Sequence, residues 1–142
     1  MNINFTDKPN ETLYIYCRVS TSGQEKDGSS SDWVEGPGDD MGELLIGNQR
    51  VLCAVDQLIV GKHVTLETPP AVIGRKAIAR CFSDIAAMGA TPVGSLMTAC
   101  LPSDVENDWC NEIFSGAKEV AEQWGGPIFG GDIASTDGPP LF

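Results

Sequence analysis

Residues 69–92 read PPAVIGRKAIARCFSDIAAMGATP, and the fold turns on how this stretch is interpreted. Ile73, Ala77, Cys81, Ile85 and Met88 recur at the three-and-four spacing of one helix face, which predicts an amphipathic helix from Pro69-Pro70 to Met88. Gly89 is suited to the left-handed conformation just past a helix end, and Pro92 cannot continue a helix, so the element stops there. Working outward, Val93 to Leu101 is a strand candidate. Ser103-x-x-Glu106 has the spacing of a capping box and is expected to open a second helix. The expected core face of that helix is Trp109, Ile113, Ala117, Val120 and Trp124, with Gly125-Gly126-Pro127 as its end and a strand beginning at Ile128-Phe129.

Upstream, Glu43 to Ile46 and Arg50 to Val55 are short apolar runs separated by Gly47-Asn48, the pattern of a hairpin. The polar Ser20 to Asp32 run follows the apolar patch Leu13 to Tyr16 and is expected to be a mobile loop. The order hairpin, helix, strand, helix, strand predicts an α+β sandwich, a mixed sheet with helices packed on one face. We expect residues 34–142 to form this domain and 1–33 to be a divergent or mobile segment. Gly138 to Phe142 looks like a turn into a further strand, so the chain is expected to be truncated before a second domain.

A chain of 142 residues with 42% apolar content can bury one real core. Its formal net charge of −11 repels nucleic-acid backbones, and it would equally repel a phosphorylated substrate unless cations stand between. The five cysteines contain no C-x-x-C pair and are odd in number, so neither a zinc site nor a disulfide framework is indicated. With no apolar run of membrane-spanning length and no leader pattern, a soluble, cytoplasmic protein is expected.

Acidic residues sit where elements are expected to meet loops: Asp39-Asp40 after Gly36-Pro37-Gly38, Asp56, Asp84 and Asp132 after Gly130-Gly131. An Asp beside Gly is more often a turn former, and Asp84 could be a solvated helix edge. As a set, the carboxylates suit magnesium and phosphate chemistry. There is no G-x-x-x-x-G-K-[ST] loop, because Gly61-Lys62 is followed by His63, and no G-x-G-x-x-G helix start. The residues alone reach an acidic domain with the chemistry to bind a metal–phosphate.

Ser83 to Pro92 resembles the S-D-I-A-A-M-G-A-x-P signature of thiamine-monophosphate kinases. Gly38-Asp39-Asp40, Val55-Asp56-Gln57-Leu58 running to Gly61-Lys62-His63, Gly74-x-Lys76-Ala77-x-Ala79, Leu101-Pro102 with Trp109, and Gly130-Gly131-Asp132 keep that family's order from about Gly36 to Phe142. The resemblance implies the amino-terminal domain of the aminoimidazole ribonucleotide synthetase-like fold, ATP and thiamine monophosphate as substrates, a magnesium cofactor and a homodimer. It implies Asp40, Asp56, Asp84 and Asp132 as magnesium ligands, Gly131 and Asp132 as ATP contacts and His63 as a contact to thiamine monophosphate, with no side chain assigned as a catalytic base. This chain alone is expected to be inactive. Sibling families include aminoimidazole ribonucleotide and selenophosphate synthetases and a hydrogenase-maturation enzyme; Ser83, where they usually carry Asn or Asp, favours the thiamine enzyme. Val55 stands where that family commonly has Thr, removing one oxygen beside Asp56. The alternatives are a sibling ATP-dependent synthetase and a non-catalytic metal-binding or dimerisation module.

Overall fold

The computed structural model describes residues 33–35, 41–47 and 49–142. The Ser20 to Asp32 run, Asp39 and Asp40 lie outside the described residues. Three strands come first: β1 (Trp33–Glu35), β2 (Met41–Ile46) and β3 (Gln49–Ala54). The expected hairpin is β2–β3, antiparallel from Met41↔Ala54 to Ile46↔Gln49, with β1 on its outer edge. Glu43, buried on this hairpin, accepts from Nε and Nη2 of Arg50, the latter at 2.7 Å. Arg50 lies two positions from Glu43's cross-strand partner Leu52, a diagonal placement that long side chains can bridge.

Helix α1 (Pro70–Ala87) follows the expected bounds, with proline in its first turn where a missing N–H costs nothing. Gly89, at φ 68°, donates to Ala86 O and closes the helix. Ile73, Cys81 and Ile85 are buried as the spacing predicts, joined by Ile78 and Phe82. Met88 is not: it is 49% exposed, because it caps the helix and no longer follows the face.

Strand β4 (Ser95–Leu101), helix α2 (Asn107–Gln123) and β5 (Ile128–Ser135) form a β-α-β unit with β4 and β5 parallel. The expected capping box is absent. Pro102 to Val105 forms a turn through Val105 N–H to Pro102 O, Glu106 is the extended N-cap residue, and no side chain caps the helix. Ile113, Ala117 and Val120 are buried, whereas Trp124 is exposed at the helix end and rests on Phe82 with 5.7 Å between ring centres.

The fold class is α+β, with the strands divided between the three-stranded antiparallel sheet and the parallel β4–β5 pair. Helices α1 and α2 cross at glycines. A methyl on Gly74 would meet Ile113 O at 1.8 Å, and one on Gly116 would meet Ala71 O at 2.1 Å, so the two backbones touch where side chains would hold them apart. Around this crossing lies the core, with Leu58, Ile73, Ile113 and Val120 fully buried. Residues 140–142, expected to lead into a strand, run between the other elements. Leu141 bridges Cys100 and Ile59, and Phe142 is buried against Trp109 and Phe114.

Candidate functional site

Beyond Ala54 the chain leaves β3, and Asp56 sits beside the carboxy-terminal half of α1. Its Oδ1 accepts from Gln57 N–H at 3.0 Å and from Arg80 Nη2 at 2.5 Å. Asp84 lies one helical turn beyond Arg80, so both belong to one stripe of α1. Ser83 Oγ donates to Arg80 O at 2.6 Å and lies 3.3 Å from Asp84 Oδ1, which draws the local side chains toward the helix backbone. The structure therefore brings Asp56 and the α1 stripe together around a guanidinium. Sequence reasoning passed over Arg80. The available signal was a cation four residues before an acidic residue on the helix.

A small groove lies between β3 and β4, floored by Ile78, Cys81, Phe82 and Ile85 of α1. Asp56 and Thr98 are among its few polar lining residues. Asp132 is in register with Thr98, one strand farther out on β5. Gly-Gly-Asp was read as a strand-to-loop junction, but Asp132 is mid-strand and exposed. Gly131 explains the local backbone. A methyl there would lie 1.8 Å from Met97 O, so only glycine allows β4 and β5 to approach as they do.

His63 occupies a turn that returns on Ile59. Its Nδ1 accepts Ile59 N–H at 2.9 Å, so that nitrogen carries no proton, and the ring presents N–H only at Nε2. The His63 carbonyl accepts from Lys76 Nζ at 2.7 Å, which ties the turn to α1. Lys76 precedes Asp84 by eight positions, roughly 12 Å along the helix axis. The His63 turn is therefore tied to α1 about two turns before Asp84.

Among the described residues, no group of three or more His, Cys, Asp or Glu side chains gathers closely enough to hold an ion. Magnesium does not require one, because it usually takes one or two protein carboxylates and completes its shell with water and phosphate oxygens. Asp56, Asp84 and Asp132 offer hard oxygen donors of that kind, and a cationic group already lies on Asp56. The donor chemistry fits the ion.

Residues 38–142 match the family described as "AIR synthase related protein, N-terminal domain". The chain belongs to that family. This AIR synthase-related domain is 39% identical over 105 residues to a thiamine-monophosphate kinase of Synechococcus elongatus, a match covering 72% of this chain and 32% of the relative. The solved thiamine monophosphate kinase of Aquifex aeolicus superposes with a TM-score of 0.68 at 26% identity, covering 74% of this chain and 35% of that one. A structure described as AaThiL complexed with AMPPCP and TMP superposes at 0.69 with 27% identity, covering 72% and 33% respectively. The AIR synthase-related domain spans about a third of the length of these curated relatives.

Proposed function

We propose that this chain is the nucleotide- and magnesium-binding part of a thiamine-monophosphate kinase, transferring the γ-phosphoryl group of ATP to thiamine monophosphate. The observation that carries this reading is the 39% identity over 105 residues to a thiamine-monophosphate kinase, alongside a family match over residues 38–142 that spans Asp56, the Ser83-Asp84 helix and Gly130-Gly131-Asp132. The likeness to a neighbour complexed with AMPPCP and TMP supports the substrate pair. In this reading Asp40, Asp56, Asp84 and Asp132 are magnesium ligands, Gly131 and Asp132 also meet ATP, and His63 meets thiamine monophosphate.

The acceptor is a phosphate monoester with a second pKa of about 6, already largely ionised at neutral pH, so no strong general base is needed. In this reading the carboxylates serve as metal ligands and no catalytic base is assigned. Magnesium, when bound, cancels the repulsion between the two phosphates. The chain's own residues orient and screen. Gly131 leaves the β5 backbone without a side chain beside Asp132, and Nε2–H of His63 can donate to a phosphate oxygen while Ile59 N–H fixes the ring. Lys76 keeps the His63 turn from drifting along α1.

The working protein is proposed to be a cytoplasmic homodimer. No helix among the described residues is long and apolar enough to cross a membrane. Strand β5 is exposed along nearly its whole length, with Phe129 63% and Ile133 65% accessible, a surface that association would cover. The deciding experiment incubates the full-length enzyme that carries this domain with ATP, magnesium and either thiamine monophosphate or aminoimidazole precursors. Thiamine diphosphate is the expected product. Nucleotide turnover only with the aminoimidazole precursors would assign a sibling synthetase, and magnesium binding without turnover on any acceptor would favour a non-catalytic module. Light scattering that gave a monomer at tens of micromolar, on the order of ordinary assay concentrations, would remove the dimer.

A further inference from the structure

We propose that Arg80 is an internal competitor for the divalent cation at Asp56: its guanidinium occupies the carboxylate when the cation is absent and must yield Oδ1 as the cation binds. The proposal rests on reading Asp56 as a magnesium ligand. Arg80 Nη2 lies 2.5 Å from Asp56 Oδ1, the same oxygen that takes Gln57 N–H, so a charge-assisted bond is already made at the atom a hard cation would seek. The two side chains are 31% and 28% exposed, deep enough for their charges to be felt and open enough for water and an ion to enter. The guanidinium is also only partly satisfied. Its buried Nε finds no acceptor among the described residues, so the Asp56 contact does not belong to a fully bonded network and can be surrendered.

Two effects of Arg80 oppose each other. Holding Oδ1 in place would favour a bound ion by pre-ordering a ligand, but a fixed positive charge one hydrogen bond away repels a divalent ion. Orientation is also supplied by Gln57 N–H, whereas the positive charge on Oδ1 comes from Arg80. Repulsion therefore wins, and the consequence is a site whose affinity for free magnesium is held down.

The test is calorimetric titration of magnesium chloride, without nucleotide, into the full chain and its variants, each checked for native circular dichroism. Arg80→Gln should tighten binding about tenfold, the size expected for removing one like charge near a divalent ion even under water-like screening. Arg80→Met fills the same half-buried path without an amide and should reproduce the gain. Arg80→Lys retains the charge and should stay within about threefold of the parent. In an Asp56→Asn background the gain from Arg80→Gln should vanish. Unchanged or weaker binding in both neutral variants, or an equal gain without the Asp56 carboxylate, would overturn the proposal. Asp56→Asn on its own distinguishes the underlying reading: if it leaves magnesium binding intact, Asp56 is not a ligand. If it weakens binding while the Arg80 variants do nothing, only the competitor role fails.

Discussion

Gly131→Ala couples strand pairing to the candidate site more directly than any other single change. The added methyl would sit 1.8 Å from Met97 O and 2.8 Å from Met97 C, and both obstacles are backbone, so no side-chain rotation relieves them. Opening that contact to the 3.0 Å that real Cβ atoms respect requires β5 to shift away from β4. Ladder bonds tolerate donor–acceptor distances of only about 2.7–3.2 Å, so a shift of that size breaks those beside the substitution. Losing about two bonds at roughly 0.5–1.5 kcal/mol each gives a destabilisation of about 1–3 kcal/mol. For a domain near 100 residues this lowers Tm by roughly 5–20 °C. Asp132 moves with the strand, and a displacement of about 1 Å at a reacting centre is enough to cost on the order of a hundredfold in rate. Thermal unfolding of the chain and the thiamine diphosphate assay in the full-length enzyme, run on Gly131→Ala beside Asp132→Asn, separate the two effects. The alanine variant should lose both stability and turnover, and the asparagine variant turnover alone. A Gly131→Ala protein melting within about 1 °C of the parent would refute the close approach of β4 and β5.

In the full-length enzyme, Asp84→Asn should abolish most magnesium-dependent turnover while raising Tm slightly, since a negative charge in the last turn of α1 opposes the helix dipole by about 0.3–1 kcal/mol; a near-parental rate at limiting magnesium would remove Asp84 from the ligand set. Gly74→Ala recovers up to about 1 kcal/mol of helix propensity yet forces α1 off α2 against Ile113 O, and overpacking of this sort costs about 1–3 kcal/mol, so chemical denaturation should show net destabilisation. Arg50 holds the Glu43 carboxyl below its ordinary value of 4.5, so its stabilising effect is complete above that pH and is lost as pH falls through the lowered folded-state value. Accordingly, Glu43→Gln should melt below the parent at neutral pH, and the gap should close in acid.

The helices were legible because each buries a stripe with a 3.6-residue period, and Gly89 and Gly125 end them at φ 68° and 84°. The start of α2 was misread because Ser103 and Glu106 have capping spacing, while Pro102 directs the intervening residues into a turn and the helix begins only at Asn107. At the site, the residue types were legible but their surroundings were not. Gly-Gly-Asp has turn composition, and only the packing of Gly131 on Met97 makes it part of a strand. The bond between Arg80 and Asp56 joins positions 24 apart, beyond the reach of local periodicity. The His63 tautomer likewise depends on a backbone N–H that composition cannot reveal.

One line of charged residues on α1 explains how separate loops can act together. Lys76, Arg80 and Asp84 follow each other at four-residue intervals, so they form one stripe of the helix, running beside the stripe of Ile73, Cys81 and Ile85 that is buried in the core. Lys76 fixes the turn carrying His63, Arg80 fixes Asp56, and Asp84 presents its own carboxylate. The rotation and depth of α1 thus set the relative placement of the proposed substrate contact and the proposed metal ligands. That rotation is in turn set by the glycine crossing with α2, where Gly74 and Gly116 bring the helix backbones into contact. A substitution at the crossing, far from any carboxylate, should therefore disturb His63 and Asp56 together, whereas a substitution in either loop should disturb only its own group. The core of this domain and its chemistry are neighbouring stripes of the same helix, and their coupling runs through backbone contact more than through any single polar bond.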